Sequence, residues 1–265
     1  MDEEKKFALV TGASSGIGLA MSRELARRGY PLLLVSNEEE KLIETAGETA
    51  KEFNVPAIPL YMDLAQRDSA RKIFDYCGNN NIKAEILINN AGIFFFRDVT
   101  DTTTERIETV INLHMFTPTL LSRLFAEQII REQRSGHILN IASIAARMMM
   151  PGLTFYNATK SYLRCFSRAM RNETYKHNIN ITTVCPGAVA TGLYGLAPRY
   201  MKLGIRLGII LTPGQLASKS IKKMFQKKAE YIPGGLVNRF FIFIVESLPE
   251  WLIRRLKKKI DERIK

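Results

Sequence analysis

The fold is decided by the stretch Phe7-Ala-Leu-Val-Thr-Gly12-Ala-Ser-Ser-Gly16-Ile-Gly18. Its apolar start predicts a buried strand, three glycines follow it closely, and a helical pattern then continues to Arg28. Backbone amides at a helix N-terminus can approach a phosphate closely only where side chains are absent. The order strand, glycine turn and helix therefore predicts a phosphate-binding unit.

Outward from this unit, apolar strands alternate with helical segments. Strands are predicted at 31–35, 57–61, 85–88, 136–142 and 179–185. Helices are predicted at 38–53, 66–81 and 103–133, and a further helix contains residues 156–175. This alternation predicts an α/β fold, a Rossmann-type, doubly wound parallel sheet with helices on both faces. We expect one catalytic domain at 1–235, with a substrate lid at about 192–212 and a C-terminal extension at 236–265.

Polar or glycine residues follow the predicted strands where each one ends. Gly12, Asp63, Asn89 and Ser143 all take such positions. In open parallel sheets, ligands bind outside the carboxyl ends of the strands. These four residues therefore indicate a binding edge.

Tyr156 and Lys160 form a candidate catalytic pair. They stand four residues apart in a segment without Gly or Pro, so we expect both on one face of a helix. A nearby cation favours the phenolate, which would let Tyr156 exchange a proton with a substrate near neutral pH. The hydroxyl of Ser143, at the end of a predicted strand, would hold the substrate oxygen. The alternative is that the pair are only surface neighbours.

These motifs together resemble the short-chain dehydrogenase/reductase family in its compact single-domain form. The resemblance covers roughly residues 6 to 192 and rests on Thr11-Gly12-x-x-x-Gly16-x-Gly18, Asn89-Asn90-Ala91-Gly92, Asn112, Ser143, Tyr156-x-x-x-Lys160, and Pro186-Gly187 leading to Thr191. It implies a seven-stranded sheet, a nicotinamide cofactor and an oxidoreductase acting on CH–OH groups.

The resemblance also implies a role for each site residue. The catalytic tetrad would be Asn112, Ser143, Tyr156 and Lys160. Tyr156 would be the acid in reduction and the base in oxidation, Lys160 would lower the pKa of Tyr156 and hold the nicotinamide ribose, and Asn112 would support a proton-relaying water. Cofactor contacts are expected at Gly12, Ser14, Ser15, Gly16, Ile17, Gly18, Ser36, Asn37, Asp63, Leu64, Asn89, Ala91, Gly92, Tyr156, Lys160, Pro186, Gly187, Val189 and Thr191.

The end of the second predicted strand bears on the choice of dinucleotide. Ser36, Asn37 and Glu38 lie about twenty residues past the glycines, where the adenosine ribose is expected. An acid would accept a ribose hydroxyl and repel a 2′-phosphate, whereas Ser36 and Asn37 can donate to a phosphate. We favour NADP(H), and Glu38 leaves NAD(H) open.

Three segments are expected to line the substrate cleft: 94–96 (Phe-Phe-Phe), 148–150 (Met-Met-Met) and 193–211. Met and Phe form an adaptable apolar wall. We therefore expect a hydrophobic carbonyl or alcohol, of the 3-oxoacyl thioester, fatty or steroid type, unless these residues pack in the core or in a subunit interface. The alternative function is a non-catalytic dinucleotide-binding scaffold or redox sensor.

Most of the net charge of +12 belongs to the tail, because residues 202 to 265 hold 15 Lys or Arg against 5 Asp or Glu. Leu252, Leu256, Ile260 and Ile264 recur every fourth residue among basic residues, which predicts an amphipathic basic helix. It would lie on an anionic membrane, contact an acidic carrier or coenzyme A ester, or cover the protein's own cleft or a neighbouring subunit. Nucleic acid binding is not expected, because no recognition motif accompanies the charge.

The remaining chemistry-bearing residues are interpreted as structural or surface residues. They are Cys77, Cys165, Cys185, His114, His137 and His177. Their spacing matches neither a CxxC motif nor a metal site. The N-terminus shows no apolar signal region, so we expect a cytoplasmic protein, with the tail available for peripheral membrane contact. We also expect a homodimer or homotetramer, as the family resemblance implies.

Overall fold

The computed structural model describes residues 6–148, 150–191, 198–206 and 210–264. Its strands are β1 (Lys6–Thr11), β2 (Leu32–Ser36), β3 (Ala57–Tyr61), β4 (Lys83–Asn89), β5 (Gly136–Ile141), β6 (Ile179–Val184) and β7 (Glu230–Tyr231). They form one parallel sheet in the order β3-β2-β1-β4-β5-β6-β7. The predicted seven-stranded Rossmann-type sheet is confirmed.

Helices cover both faces of this sheet. They are α1 (Gly16–Arg27), α2 (Glu39–Phe53), α3 (Ser69–Asn79), α4 (Thr104–Ile111), α5 (Thr117–Arg131), α6 (Thr154–Thr174), α7 (Pro198–Arg206), α8 (Pro213–Phe225), α9 (Gly235–Glu246) and α10 (Glu250–Ile264).

Two apolar cores result, one on each side of the sheet. Side chains alternate along β1, so that Val10 packs with Leu25 of α1 and Leu216 of α8, whereas Leu9 packs in the opposite core with Phe125 of α5. Strands buried on both faces need near-continuous apolar runs, which is why the central strands were predictable.

Helix α8 and strand β7 were not predicted. The hydroxyl of Thr212 accepts from the amide of Gln215, whose side chain in turn accepts from the Thr212 amide, so α8 begins with a capping box. That pattern is visible in the sequence and is a known start signal. Strand β7 has two residues, too few to show a period.

The C-terminal helices pack against the end of the sheet that carries the loops. Ile242 of α9 is buried with Ala142 and Cys185, and the Lys257 Nζ of α10 donates to Asp98 Oδ2 at 2.9 Å. No helix in the described ranges is both long and apolar enough to cross a bilayer. Of the predicted lid, residues 192–197 and 207–209 lie outside the described ranges.

Candidate active site

The glycine turn closes tightly against the neighbouring strand end. Gly12 has φ +65°, a Cβ there would lie 2.9 Å from Ala91 Cα, and a Cβ at Gly18 would lie 2.0 Å from the Gly12 carbonyl oxygen. The side chain of Ser15 makes no capping bond to α1, and the first turn holds no acidic residue. The first amides of α1 are therefore not capped by a side chain and can receive a phosphate.

A hydrogen-bond network fixes this turn to the loop after β4. Thr11 Oγ1 donates to the Ile88 carbonyl at 3.1 Å and accepts from the amides of Asn90 and Ala91. Asn90 Nδ2 donates to the carbonyls of Thr11 and Gly12 at 3.0 and 3.2 Å. Thr11 and Asn90 thus hold the shape of the binding edge, a role that the sequence interpretation did not assign to them.

The side chain of Asn89, a predicted cofactor contact, does not line the cleft and packs between β5 and α5. Its Nδ2 donates to Ser122 Oγ at 3.1 Å and to Asn140 Oδ1 at 2.8 Å, and its side chain is 5 % exposed. The side chain alternates with that of Ile88 along β4, which sends it between the packed helices. The side-chain amide of Asn89 is thus engaged within the protein, and the cofactor contact stays a prediction.

A cleft of about 940 Å³ runs along the carboxyl ends of the strands. Its wall contains most of the predicted cofactor contacts, among them Tyr156 and Lys160 of the tetrad, and also the tetrad member Asn112. The predicted residues on the wall are Gly12, Ser14, Ser15, Gly16, Ile17, Ser36, Asn37, Asp63, Leu64, Ala91, Gly92, Asn112, Tyr156, Lys160, Pro186 and Thr191. The wall does not include Gly18, Asn89, Ser143, Gly187 or Val189. Gly18 supports the turn from behind, and Val189 is buried.

Glu38 organises the end of the cleft at β2. Ser14 Oγ donates to Glu38 Oε2 at 2.5 Å and lies 2.9 Å from Ser36 Oγ, which can donate to it. This hydrogen bond from Ser14 lowers the pKa of the Glu38 carboxyl, with Lys41 adding to the effect. Lys41 Nζ is 3.5 Å from the same carboxylate. This end therefore offers an ionised acceptor beside a lysine.

Tyr156 and Lys160 lie at the opposite end. Both belong to α6 and are buried, at 7 % and 5 % exposed. Lys160 Nζ donates to the Ile141 carbonyl at 2.9 Å and is 5.8 Å from the centre of the Tyr156 ring. Burial lowers the pKa of Lys160 to about 8. The helical prediction for this pair is confirmed, and a desolvated amine stands beside the phenol ring.

His114 is a structural partner of this pair. The Ile93 amide donates to its Nε2 at 2.9 Å, so Nδ1 carries the proton and donates to Thr159 Oγ1 at 3.0 Å. Thr159 in turn donates to the Tyr156 carbonyl. Burial, with Lys160 and then Arg106 adding to it, holds the pKa of His114 well below its usual value. The imidazole is neutral and fixes the loop after β4 against α6.

Asn112 begins a π-helical turn, Asn112–Phe116, between α4 and α5. Helix α4, this turn and α5 together account for the helical region predicted at 103–133. Such turns widen a helix locally and often occur at functional sites. Here the turn places Asn112 and His114 on the cleft wall together.

Ser143 follows β5 and caps a short turn, Ile144–Arg147. Its Oγ accepts from the Ala145 amide at 3.1 Å, and that bond leaves the hydroxyl proton for another acceptor. The side chain is 6 % exposed.

The expected apolar wall is divided between contact with the site and packing elsewhere. The rings of Phe94 and Tyr156 meet edge to face at 5.1 Å, while Phe95 lies under the guanidinium of Arg106 at 4.9 Å. Met148 is buried in the cluster beneath α9, which contradicts its expected place on the wall. Phe96 and Met150 are exposed, and Met149 lies outside the described residues.

The donor set of this cleft fits a dinucleotide. Uncapped helix amides meet glycines at the centre, a carboxylate and hydroxyls lie at one end, and a buried lysine lies at the other. A pyrophosphate needs the amides, and two riboses need polar groups on either side of it. In the glycine turn, Gly12 and Gly18 have no room for a Cβ, and this is where the backbone must come closest to the pyrophosphate.

The family model for short chain dehydrogenases matches residues 6–199. A very-long-chain 3-oxoacyl-CoA reductase of Anas platyrhynchos is 34 % identical over 70 % of this chain and 60 % of its own length. The protein of the same name from Macaca fascicularis is 27 % identical over 97 % of this chain and 80 % of its own length.

A solved short-chain dehydrogenase from Sphingobium yanoikuyae, in complex with NADPH, superimposes with a TM-score of 0.78 at 26 % identity. The match covers 90 % of this chain and 92 % of that one. With the motifs, the sheet order and the cleft in agreement, this chain belongs to the short-chain dehydrogenase family.

Proposed function

We propose that this chain is an NADP(H)-dependent oxidoreductase that interconverts a carbonyl and an alcohol on a long apolar substrate of the 3-oxoacyl thioester class. One observation carries the proposal: Tyr156 and Lys160 are buried side by side in the same cleft that begins at the uncapped amides of α1. A scaffold that only binds the dinucleotide has no need for a phenol and a desolvated amine there.

The bound dinucleotide would supply or accept the hydride at the substrate carbon. The hydroxyl of Ser143 would donate to the substrate oxygen and fix its position. Tyr156 would give its phenolic proton to that oxygen in reduction and take it back in oxidation. Lys160 would stabilise the phenolate left behind, because a charge in a dry site acts more strongly than one in water.

Two observations support the substrate class. The relatives described above are named very-long-chain 3-oxoacyl-CoA reductases. In this chain, Phe94 contacts the Tyr156 ring, and the exposed side chains of Phe96 and Met150 lie in the loops beside it. An acyl chain would pack on such a surface, whereas a sugar would find few polar partners there.

The cofactor preference follows from the end of the cleft at β2. Ser36 and Asn37 are neutral, Lys41 is a cation on the same wall, and Glu38 is already bonded to Ser14. Asn37 and Lys41 would donate to a 2′-phosphate, which favours NADP(H). The carboxylate of Glu38, which already accepts from Ser14, would repel that phosphate in part. The NADPH complex of the Sphingobium relative supports the same choice.

The test is turnover of purified protein, followed by absorbance of the reduced nicotinamide with NADPH and separately with NADH. Substrates would be a long-chain 3-oxoacyl-CoA, its short-chain counterpart and a small polar ketone. We expect the first to react best, with NADPH, and Tyr156→Phe to be inactive. Binding of NADPH without turnover of any carbonyl would instead favour the scaffold, and better turnover of the polar ketone would reject the substrate class.

A further inference from the structure

Three large apolar side chains are exposed where α9 and α10 meet. Phe243 and Ile244 belong to the last turn of α9 and are 64 % and 44 % exposed, and Trp251, near the start of α10, is 63 % exposed. Only residues 247–249 separate the two helices. Among the side chains of α9 that the structure describes, Ile242 and Val245 pack in the core. Phe243, Ile244 and Trp251 therefore take no part in the core packing that holds α9.

The outer face of α10 combines its tryptophan with positive charge. Arg255 and Lys258 follow Trp251 by four and seven residues, so all three share one side of the helix, and all three are exposed. The other side holds Lys257, whose ammonium is 2.9 Å from Asp98 Oδ2 and whose side chain is only 18 % exposed. This ion pair fixes which side of α10 faces solvent.

We propose that the docking face, defined by Phe243, Ile244, Trp251, Arg255 and Lys258, binds an anionic lipid surface. Aromatic side chains take positions at the boundary between headgroups and acyl chains, and arginine and lysine attract anionic headgroups. The apolar side chains of the docking face project from two helix ends. An acidic protein partner would pair with the cations but would need a matching apolar pocket for these groups, whereas a lipid interface accepts them without one.

The position of the docking face deepens the proposed function and rests on it in one respect. Asp98, which holds α10, lies four residues after Phe94, whose ring contacts Tyr156. Docking would therefore place the loop beside the catalytic tyrosine about one helix diameter, roughly 10–12 Å, from lipid, where a long apolar substrate is dissolved. The binding itself needs no turnover, so its test is separate from that of the activity.

Trp251 makes the test direct, since the chain has one tryptophan. Its emission would be recorded with phosphatidylcholine vesicles containing about 30 % phosphatidylglycerol and with pure phosphatidylcholine vesicles. We expect a blue shift, and quenching by brominated acyl chains, with the anionic vesicles only. Salt at about 1 M should reverse both effects.

Two double variants separate the docking face from general charge. Arg255→Glu with Lys258→Glu should weaken vesicle binding at least about thirty-fold, because each basic residue contributes roughly fivefold to partition. Lys219→Glu with Lys222→Glu makes the same charge change on exposed positions of α8 and should alter binding less than about threefold. Phe243→Ser should weaken binding without changing the salt dependence.

Four results would overturn the proposal. The first is an unchanged Trp251 emission with anionic vesicles, and the second is an equal loss of binding in the two double variants. The third is an emission that shifts with an acidic carrier protein but not with vesicles, which would assign the docking face to a protein. The fourth is a stable dimer in buffer in which Trp251 is already shielded from a soluble quencher.

Discussion

Replacing Lys160 with methionine should make the protein more stable near pH 7 while removing its activity. Burial lowers the pKa of Lys160 from 10.5 to about 8. At about 1.4 kcal/mol for each pKa unit, the buried ammonium costs the folded state about 3.5 kcal/mol. Methionine of similar length removes that cost and loses the bond from the charged ammonium to the Ile141 carbonyl, worth about 1.5 to 3 kcal/mol. We therefore expect a net gain of about 1 kcal/mol in the free energy of unfolding.

The pH dependence of stability would show that the gain in Lys160→Met comes from removing the buried ammonium. Because the pKa of Lys160 is lower in the folded state, the unfolded state binds more protons between pH 8 and 10.5. The wild-type protein should gain stability as the pH rises through this window, while Lys160→Met should not, so the advantage of the variant is full below about pH 8 and disappears towards 10.5.

Urea unfolding followed by circular dichroism at several pH values measures this difference. Lys219→Met, at an exposed position of α8, is the matched control and should leave the stability unchanged within about 0.5 kcal/mol at each pH. The reasoning would be refuted if Lys160→Met were less stable than wild type near pH 7. It would also be refuted if the difference between them did not depend on pH.

Four further outcomes are expected. Tyr156→Phe should lower turnover at least about a hundredfold and change the dissociation constant of the dinucleotide less than about threefold, measured by absorbance and by fluorescence titration; equal losses in both would contradict its role as the acid. Glu38→Gln should favour NADP(H) over NAD(H) by about fivefold or more in paired titrations, because it removes a negative charge beside the proposed 2′-phosphate site; an unchanged ratio would place that phosphate elsewhere. Gly18→Ala should lower the melting temperature sharply, since its Cβ would lie 2.0 Å from the Gly12 carbonyl oxygen, and a stable variant would show that the turn can shift. His114→Asn should flatten the loss of stability on acidification below pH 6.5, where unfolded His114 takes up a proton that the folded protein excludes, while an equally steep loss would assign the acid sensitivity to other groups.

Most of the fold was predictable because its signals are local. The central strands are continuous apolar runs, and the glycine turn at Gly12 needs residues without side chains, so both leave a pattern in consecutive residues. The spacing of Tyr156 and Lys160 likewise follows from one helix. That these groups lie together at the carboxyl edge of the sheet is also predictable, since parallel strands end on the same side.

The remaining features depend on contacts between residues distant in sequence. His114 bonds to Ile93 and to Thr159, 21 and 45 positions away, and nothing in its own neighbourhood identifies either partner. The direction of Asn89 is set by Ser122 and Asn140 in the same way. A polar residue two places after Asn112 in an apolar helical segment was the available signal for His114, and it indicates burial without indicating a partner.

These distant contacts also strengthen the effect of Lys160 on Tyr156, because they keep water out of the site. A lysine exposed to water would act on the Tyr156 phenolate through a screened field, whereas the same lysine in a dry site acts strongly. Dryness here requires the loop after β4 to stay closed over α6, which is the arrangement that His114 holds through Ile93 and Thr159. The instability of a buried ammonium and its effect on the phenol therefore have one origin. A variant that opened the His114 contacts to water should raise the pKa of Lys160 towards its usual value and weaken catalysis, even with Tyr156 and Lys160 both intact.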